Sequence, residues 1–144
     1  MKCRKATLED SALLASLNYQ LLQDEGHRNQ KMAISELEKR MRGWLSSEYT
    51  AVLFEESDET VAYALYRQQS EEIYLRQLLV VRNRRRQGIG RRAVEILRNE
   101  IWPGNKRLTV DVLTQNVAAI AFWRAVGYKD YCLTLEILPV AENV

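Results

Sequence analysis

The residues best suited to chemistry lie in one run, Arg84-Arg85-Arg86-Gln87-Gly88-Ile89-Gly90-Arg91-Arg92. An apolar stretch, Leu75 to Val81, precedes it, and a helix-like segment, Ala93 to Ile101, follows. A strand, a basic glycine-bearing turn and a helix form a cradle for phosphate. The N–H groups of the turn and of the first helical turn point at the anion, and the helix dipole adds a favourable field. Gly88 and Gly90 allow a positive φ, or an approach so close that a Cβ would clash. Arginines add charge-assisted hydrogen bonds to phosphate oxygens. The chemistry implied is the binding of a phosphate-bearing ligand.

Charge is distributed to match. Eight of the 21 basic residues are arginines between Arg76 and Arg98, a stretch with one acid, Glu95. The net charge of the whole chain is only +2, so the remainder is acidic. A basic patch on an acidic body suits an anionic ligand beside a cationic one. It argues against a nucleic-acid-binding module, because the body would repel a long polyanion and the patch lacks interleaved aromatics. A single histidine, His27, and no cysteine cluster argue against a metal site. Cys3 and Cys132 read as two reduced thiols. No apolar run approaches a membrane span and no leader is evident, so a cytoplasmic location is expected.

The elements that must position this turn are legible from periodicity. The 144 residues read as a single domain, residues 1–144. Lys2–Ala6 reads as a strand, and Thr7-Leu8-Glu9-Asp10 has the form of a capping box. An apolar stripe from Leu8 to Leu22 predicts a helix ended by Gly26, and Ser35–Leu45 predicts a second. Strand signals follow at Tyr49–Phe54, Val61–Tyr66 and Ile73–Val81, with turns at Ser57-Asp58-Glu59 and Gln69-Ser70-Glu71. After the basic turn come a helix ended by Pro103-Gly104, a strand at Leu108–Leu113, and a helix at Val117–Val126 capped by Asn116. Gly127 fits the position just past that helix. A last strand is expected at Tyr131–Leu138, apolar enough to pair across a dimer, so monomer and homodimer both stay open.

Known phosphate loops are excluded one by one. Gly90 is followed by Arg91-Arg92 where a P-loop needs Lys and Ser or Thr. Ala93 stands where the dinucleotide fingerprint needs its third glycine. Arg85-Arg86-Gln87-Gly88-Ile89-Gly90 instead resembles [RQ]-x-x-G-x-[GA], the acyl-CoA pyrophosphate loop of the GNAT superfamily of N-acetyltransferases. Leu75–Val81 is similar to that family's fourth strand. Asn116 to Tyr128 resembles its N-x-x-A-x-x-[FL]-Y-x-x-x-G-[FY] segment.

The resemblance implies an α/β acyltransferase fold in the order β-α-α-β-β-β-α-β-α-β. Its mixed, mostly antiparallel sheet would be splayed between the fourth and fifth strands. Acetyl-CoA would lie in the wedge as co-substrate, with no metal. Leu79, Val80 and Val81 would offer backbone groups to the pantetheine arm and acetyl carbonyl. Arg85, Arg86, Gln87, Gly88, Ile89, Gly90 and Arg91 would wrap the pyrophosphate. Asn116 would bond the pantetheine, and Phe122 and Trp123 would flank the thiol. A neutral amine would attack the thioester directly. The acceptor is expected to be a small-molecule or peptide amine, not a nucleic acid or a membrane.

Proton transfer is the open question. Trp123 occupies the position where the family often has tyrosine, and an indole is no useful acid. Glu72, with Glu71 beside it, is the candidate base, and Tyr128 and Tyr131 are the nearest phenols. The loss of that tyrosine keeps a non-catalytic acyl-CoA sensor as an alternative. On the acceptor side, Tyr19, Asp24, Glu25 and Trp44, with His27 and Arg28 nearby, lie in or beside the two early helices. Asp24-Glu25 is expected to attract a cationic amine such as an aminoglycoside or polyamine.

Overall fold

The computed structural model describes residues 1–25 and 31–140, with Glu25 described by its backbone alone. The expected helix stop at Gly26, and His27 and Arg28, lie outside the described residues. The elements are β1 (Lys2–Lys5), α1 (Ser11–Glu25), α2 (Ile34–Leu45), β2 (Tyr49–Glu56), β3 (Glu59–Gln68), β4 (Glu72–Val80), α3 (Ile89–Ile96), β5 (Arg107–Val110) and α4 (Val117–Ala125). The strands lie in sequence order, antiparallel except for the parallel pair β4–β5.

Local chemistry explains the boundaries. Thr7 N–H donates to Asp10 Oδ2 at 2.8 Å and Thr7 Oγ1 accepts from Glu9 N–H, so the expected capping box forms ahead of α1. Ser57 and Asp58 both take a positive φ in the β2–β3 turn, which matches the right-handed twist of a hairpin. The helix after the basic run starts at Ile89, not Ala93, and ends in a π-helical turn, Leu97–Ile101. The last part of the expected turn is therefore the first turn of α3.

Two apolar layers clamp the sheet. Val52, Phe54, Ala64, Ile73 and Leu75 pack with α3 and Trp123 of α4. Leu53, Tyr63, Leu65 and Leu79 pack with Leu14 and Leu21 of α1 and Met41 of α2. In β4 the alternation is interrupted. Leu65 faces Gln77 and Tyr66 faces Leu75, so Arg76 is the extra residue of a bulge. The bulge shifts the phase: Ile73, Leu75, Leu78 and Val80 belong to the α3 layer, Tyr74 and Leu79 to the α1 layer.

The pair β4–β5 is short. Its rungs run from Glu72 opposite Arg107 to Leu75 opposite Val110, and β4 then continues to Val80 without β5. The expected splay is present.

The expected last strand is not. Residues 131–140 form no ladder and every one of them is exposed, Ile137 to 99%. The reason lies in where the segment begins. Asp130 is held by the guanidinium of Arg124 at 2.9 and 2.6 Å, and the Tyr131 ring sits 4.6 Å from the guanidinium carbon of Arg107, the first residue of β5. An antiparallel neighbour of β5 leaves beside Arg107, so by Tyr131 the chain has already passed the strand it would pair with.

Candidate active site

The site is built where β4 leaves β5. Arg76 and Asp111 are the first residues past the last shared rung, one on each strand. From Arg76 to Val80 the β5-facing edge of β4 carries no ladder bonds. Part of that edge is already engaged. The Val80 carbonyl accepts from Arg85 Nε at 3.0 Å. On the other edge, toward β3, Val81 donates its N–H to the Val61 carbonyl, and its own carbonyl accepts from Arg84 N–H, both at 3.0 Å.

The chain then turns through Arg82–Arg84 into α3. Arg86 takes φ 64° and Gly88, at the N-cap, φ 75° and ψ 11°. Left-handed residues on either side of Gln87 aim neighbouring backbone N–H groups toward one point. No side chain caps α3, so its first N–H groups remain open to an anion. The two glycines do different work. A Cβ on Gly88 would meet nothing within 4 Å but would sit on a strained backbone, whereas one on Gly90 would lie 3.2 Å from the Phe122 ring. Gly90 thus lets α4 close onto α3.

The loop's arginines are mostly paired. Asp24, at the end of α1, accepts from Arg82 at 2.7 Å and from Arg85 at 2.6 Å. Glu56, at the end of β2, holds Arg84 and Arg92. Burial pushes the Asp24 carboxyl up, but the bonds from Arg82 and Arg85 outweigh it and keep the group below the usual carboxylate range. The hydrogen bond from Arg92 does the same for Glu56. Among the described residues Arg86 and Arg91 carry no ion pair.

A second cluster lies on the α1/α2 face of the wedge. Tyr74 donates its hydroxyl to Asp111 Oδ2 at 2.9 Å, and burial, then this bond, pushes the phenol up to about 12. The Arg76 guanidinium lies 4.7 Å from the Trp44 ring centre and donates to the Tyr49 hydroxyl at 3.3 Å. Arg40 lies 4.6 Å from the same indole and donates to Asn18 Oδ1 at 2.8 Å. Burial, then the nearby Arg76 charge, pulls the Arg40 pKa down.

A model of the acetyltransferase (GNAT) family matches residues 17–128. The chain belongs to this family. Among solved structures, a possible acetyltransferase from Clostridium difficile 630 superposes with a TM-score of 0.81 at 17% identity, over 98% of each chain. A predicted acetyltransferase from Clostridium acetobutylicum, solved with acetyl-CoA, gives 0.73 at 20% identity over 95% of each chain. An aminoglycoside acetyltransferase from an uncultured soil metagenomic sample, in complex with sisomicin, gives 0.71 at 13% identity over 98% of this chain and 96% of its own. At these identities the likeness is one of fold. No curated protein sequence matches the chain.

In this acetyltransferase fold the expected site residues are scattered more than the motifs imply. Val80, Gly90 and Phe122 converge, a Cβ on Gly90 lying 3.6 Å from Val80 and 3.2 Å from the Phe122 ring, whereas the Leu79 side chain is buried in the α1 layer. Asn116 Oδ1 caps α4 by accepting Ala119 N–H at 3.1 Å. Trp123 is buried in the α3 layer, edge-to-face with both Phe122 and Tyr128. Tyr128 is half-buried there with its hydroxyl unpartnered, and burial raises its pKa to about 12. Glu72 sits at the paired end of β4, accepting from Thr109 at 2.6 Å and Arg107 at 3.3 Å, three rungs from the opening. Tyr131 is exposed beside Arg107. Asp24 is taken up by the loop arginines, so it is not open to a cationic amine. Tyr19 is exposed on α1, and the Glu25 side chain lies outside the described residues.

Sequence reasoning missed Tyr74, Arg76 and Asp111. Tyr74 and Arg76 lie inside an apolar strand signal, and Asp111 inside an alternating one. Only the bulge and the β4–β5 register bring them together.

Proposed function

We propose that the protein transfers the acetyl group of acetyl-CoA to a primary amine in a ternary complex. The observation that carries this reading is the continuity of the open β4 edge, from Arg76 to Val80, with the uncapped N-terminus of α3 at Gly88. The family and the acetyl-CoA in the Clostridium acetobutylicum structure support the choice of donor. The diphosphate is held by N–H groups between Arg86 and Arg91, with those two arginines free to meet it. The pantetheine arm runs along β4 toward Leu79, and the Asn116 amide, whose oxygen is the cap, keeps its N–H donors for that arm. Phe122 walls the thiol end. Trp123 acts one layer deeper, supporting Phe122 rather than touching the thioester.

The reaction forms a C–N bond and breaks a C–S bond. The amine must lose a proton before attack, and backbone N–H groups at the strand opening stabilise the oxyanion. The coenzyme A leaves as thiolate, which a thiol pKa near about 8.5 makes tolerable without an acid. Isothermal titration with acetyl-CoA tests the donor, with saturable micromolar binding expected. No binding would overturn the proposal. Release of free thiol against an amine panel then separates an enzyme from a silent sensor.

A further inference from the structure

The acceptor end of the wedge carries its own specificity. Arg76 and Asp111 follow directly on the last rung, Leu75 opposite Val110, one on each strand where β4 and β5 begin to part. Both side chains turn to the α1/α2 face: Asp111 bonds Tyr74 of that layer, and Arg76 reaches Trp44 and Tyr49. The opposite face is closed by α3, Phe122 and Trp123. An acceptor must therefore approach past Arg76 and Asp111.

The charges there are unbalanced in a way the loop's are not. Arg40 and Arg76 lie against one indole, and neither meets a carboxylate among the described residues. Arg67, nearby over Tyr49 and Tyr74, is already paired with Glu48 at 3.3 Å. Arg76 is exposed and Arg40 half-buried, so both guanidiniums can be reached by a ligand, and the planar fork suits a carboxylate. Asp111 supplies the opposite charge at the point where the amine must sit.

Resting on the acyl-transfer reading above, we infer that the acceptor is an amine that also bears a carboxylate, of the amino-acid type. Its ammonium group meets Asp111, and its carboxylate meets Arg76 with Arg40 behind. Asp111 takes one ammonium proton, the freed lone pair attacks the thioester carbon, the sulfur leaves with the C–S bonding electrons, and the second proton on the newly bonded nitrogen passes to the thiolate or to water. Tyr74 holds Asp111 in place. Polycations, lacking a carboxylate, are repelled by the arginine pair.

The test is free-thiol release from acetyl-CoA with the proteinogenic L-amino acids, their carboxamides and spermidine. At least one amino acid should exceed its carboxamide by about tenfold in kcat/KM, the scale of one charge-assisted bond. Arg76→Gln should bring that ratio close to one while calorimetric affinity for acetyl-CoA stays unchanged. Because the ratio is compared between enzymes, the lower basicity of the carboxamide amines cancels. Asp111→Asn should lower kcat by about a hundredfold. Preference for carboxamides or spermidine, a ratio unmoved by Arg76→Gln, or acetyl-CoA binding without turnover of any amino acid would each overturn the inference. Absence of acetyl-CoA binding would instead sink the donor assignment.

The C-terminal segment carries a separate inference, about a partner. Residues 131–140 are Tyr-Cys-Leu-Thr-Leu-Glu-Ile-Leu-Pro-Val, with one charge, and all are exposed. Leu133, Leu135 and Ile137 share one face of an extended chain. At the same time β5 ends the sheet with an open edge, beside half-buried Leu108, Val110 and Val112. An apolar strand without an edge and an edge without a strand are complementary. The geometry points to a second copy of this chain, each arm adding to the other's β5. Sedimentation velocity on the full chain should give a dimer, and Leu135→Lys with Ile137→Lys a folded monomer. A monomeric wild type, or a dimer that survives both changes, would overturn it.

Discussion

Two groups of arginines lie close in sequence and do opposite things. Arg82, Arg84, Arg85 and Arg92 each meet Asp24 or Glu56. Arg76, six residues before Arg82, meets only aromatic rings and a phenol. The paired group ties the loop to the ends of α1 and β2, so its charge is largely spent on structure. The unpaired one leaves a positive face on the α1/α2 side of the wedge, where the acceptor is proposed to enter. Local density of charge therefore says little about where a ligand's charge is read. What matters is whether a carboxylate of the fold has already answered it.

Substitutions in the two groups and beside them should have effects of very different size. The largest effect is expected at Gly88, where valine would need a left-handed backbone that costs a β-branched residue well over about 1 kcal/mol. Gly88→Val should weaken acetyl-CoA binding by about a hundredfold or more while circular dichroism shows a folded chain. Unchanged binding would mean that the loop backbone does not hold the diphosphate. Next, Arg84→Gln and Arg76→Gln should separate cleanly. The first should move the acetyl-CoA Kd by less than about threefold, since Glu56 already holds Arg84. The second should act on acceptor KM alone.

Asp24→Asn is expected to be smaller still, costing about 1 kcal/mol or less because the pair is partly exposed. The Asp24 carboxyl is held below its ordinary value in the folded chain. Its contribution is thus present above the unfolded carboxylate range and lost as pH falls through the folded pKa. Thermal melts of wild type and Asp24→Asn should differ at neutral pH, and the gap should begin to close only below about pH 4. The smallest change is expected from Tyr128→Phe, which removes an unpartnered buried hydroxyl. Turnover should be unaltered and stability equal or slightly higher. A fall in kcat with unchanged KM would restore Tyr128 as the acid.

Much of the frame was legible because it rests on local rules. Thr7 with Asp10, Asn116 at its cap and Gly127 at φ 118° are each dictated by a few neighbouring residues. The splay followed from the family resemblance of the loop and of the Asn116–Tyr128 segment. The roles of single side chains were less legible. Asp24 was expected to face an amine and instead closes on Arg82 and Arg85, fifty-eight and sixty-one residues away. Trp123 was expected at the thiol and instead fills the core, because helix phase alone does not say which of two adjacent aromatics turns inward.

By itself, the sequence determined the glycine turn that opens α3. Gly88 takes the left-handed conformation that backbone sterics within a few residues reserve for glycine, although the helix beside it starts at Ile89, four residues before the expected start. The tertiary structure alone decided the arrangement proposed for the acceptor side. Arg76 and Asp111 meet because a bulge displaces one strand by a residue and β4 and β5 part after four rungs. Register of this kind is set by packing over the whole sheet, and no local pattern encodes it.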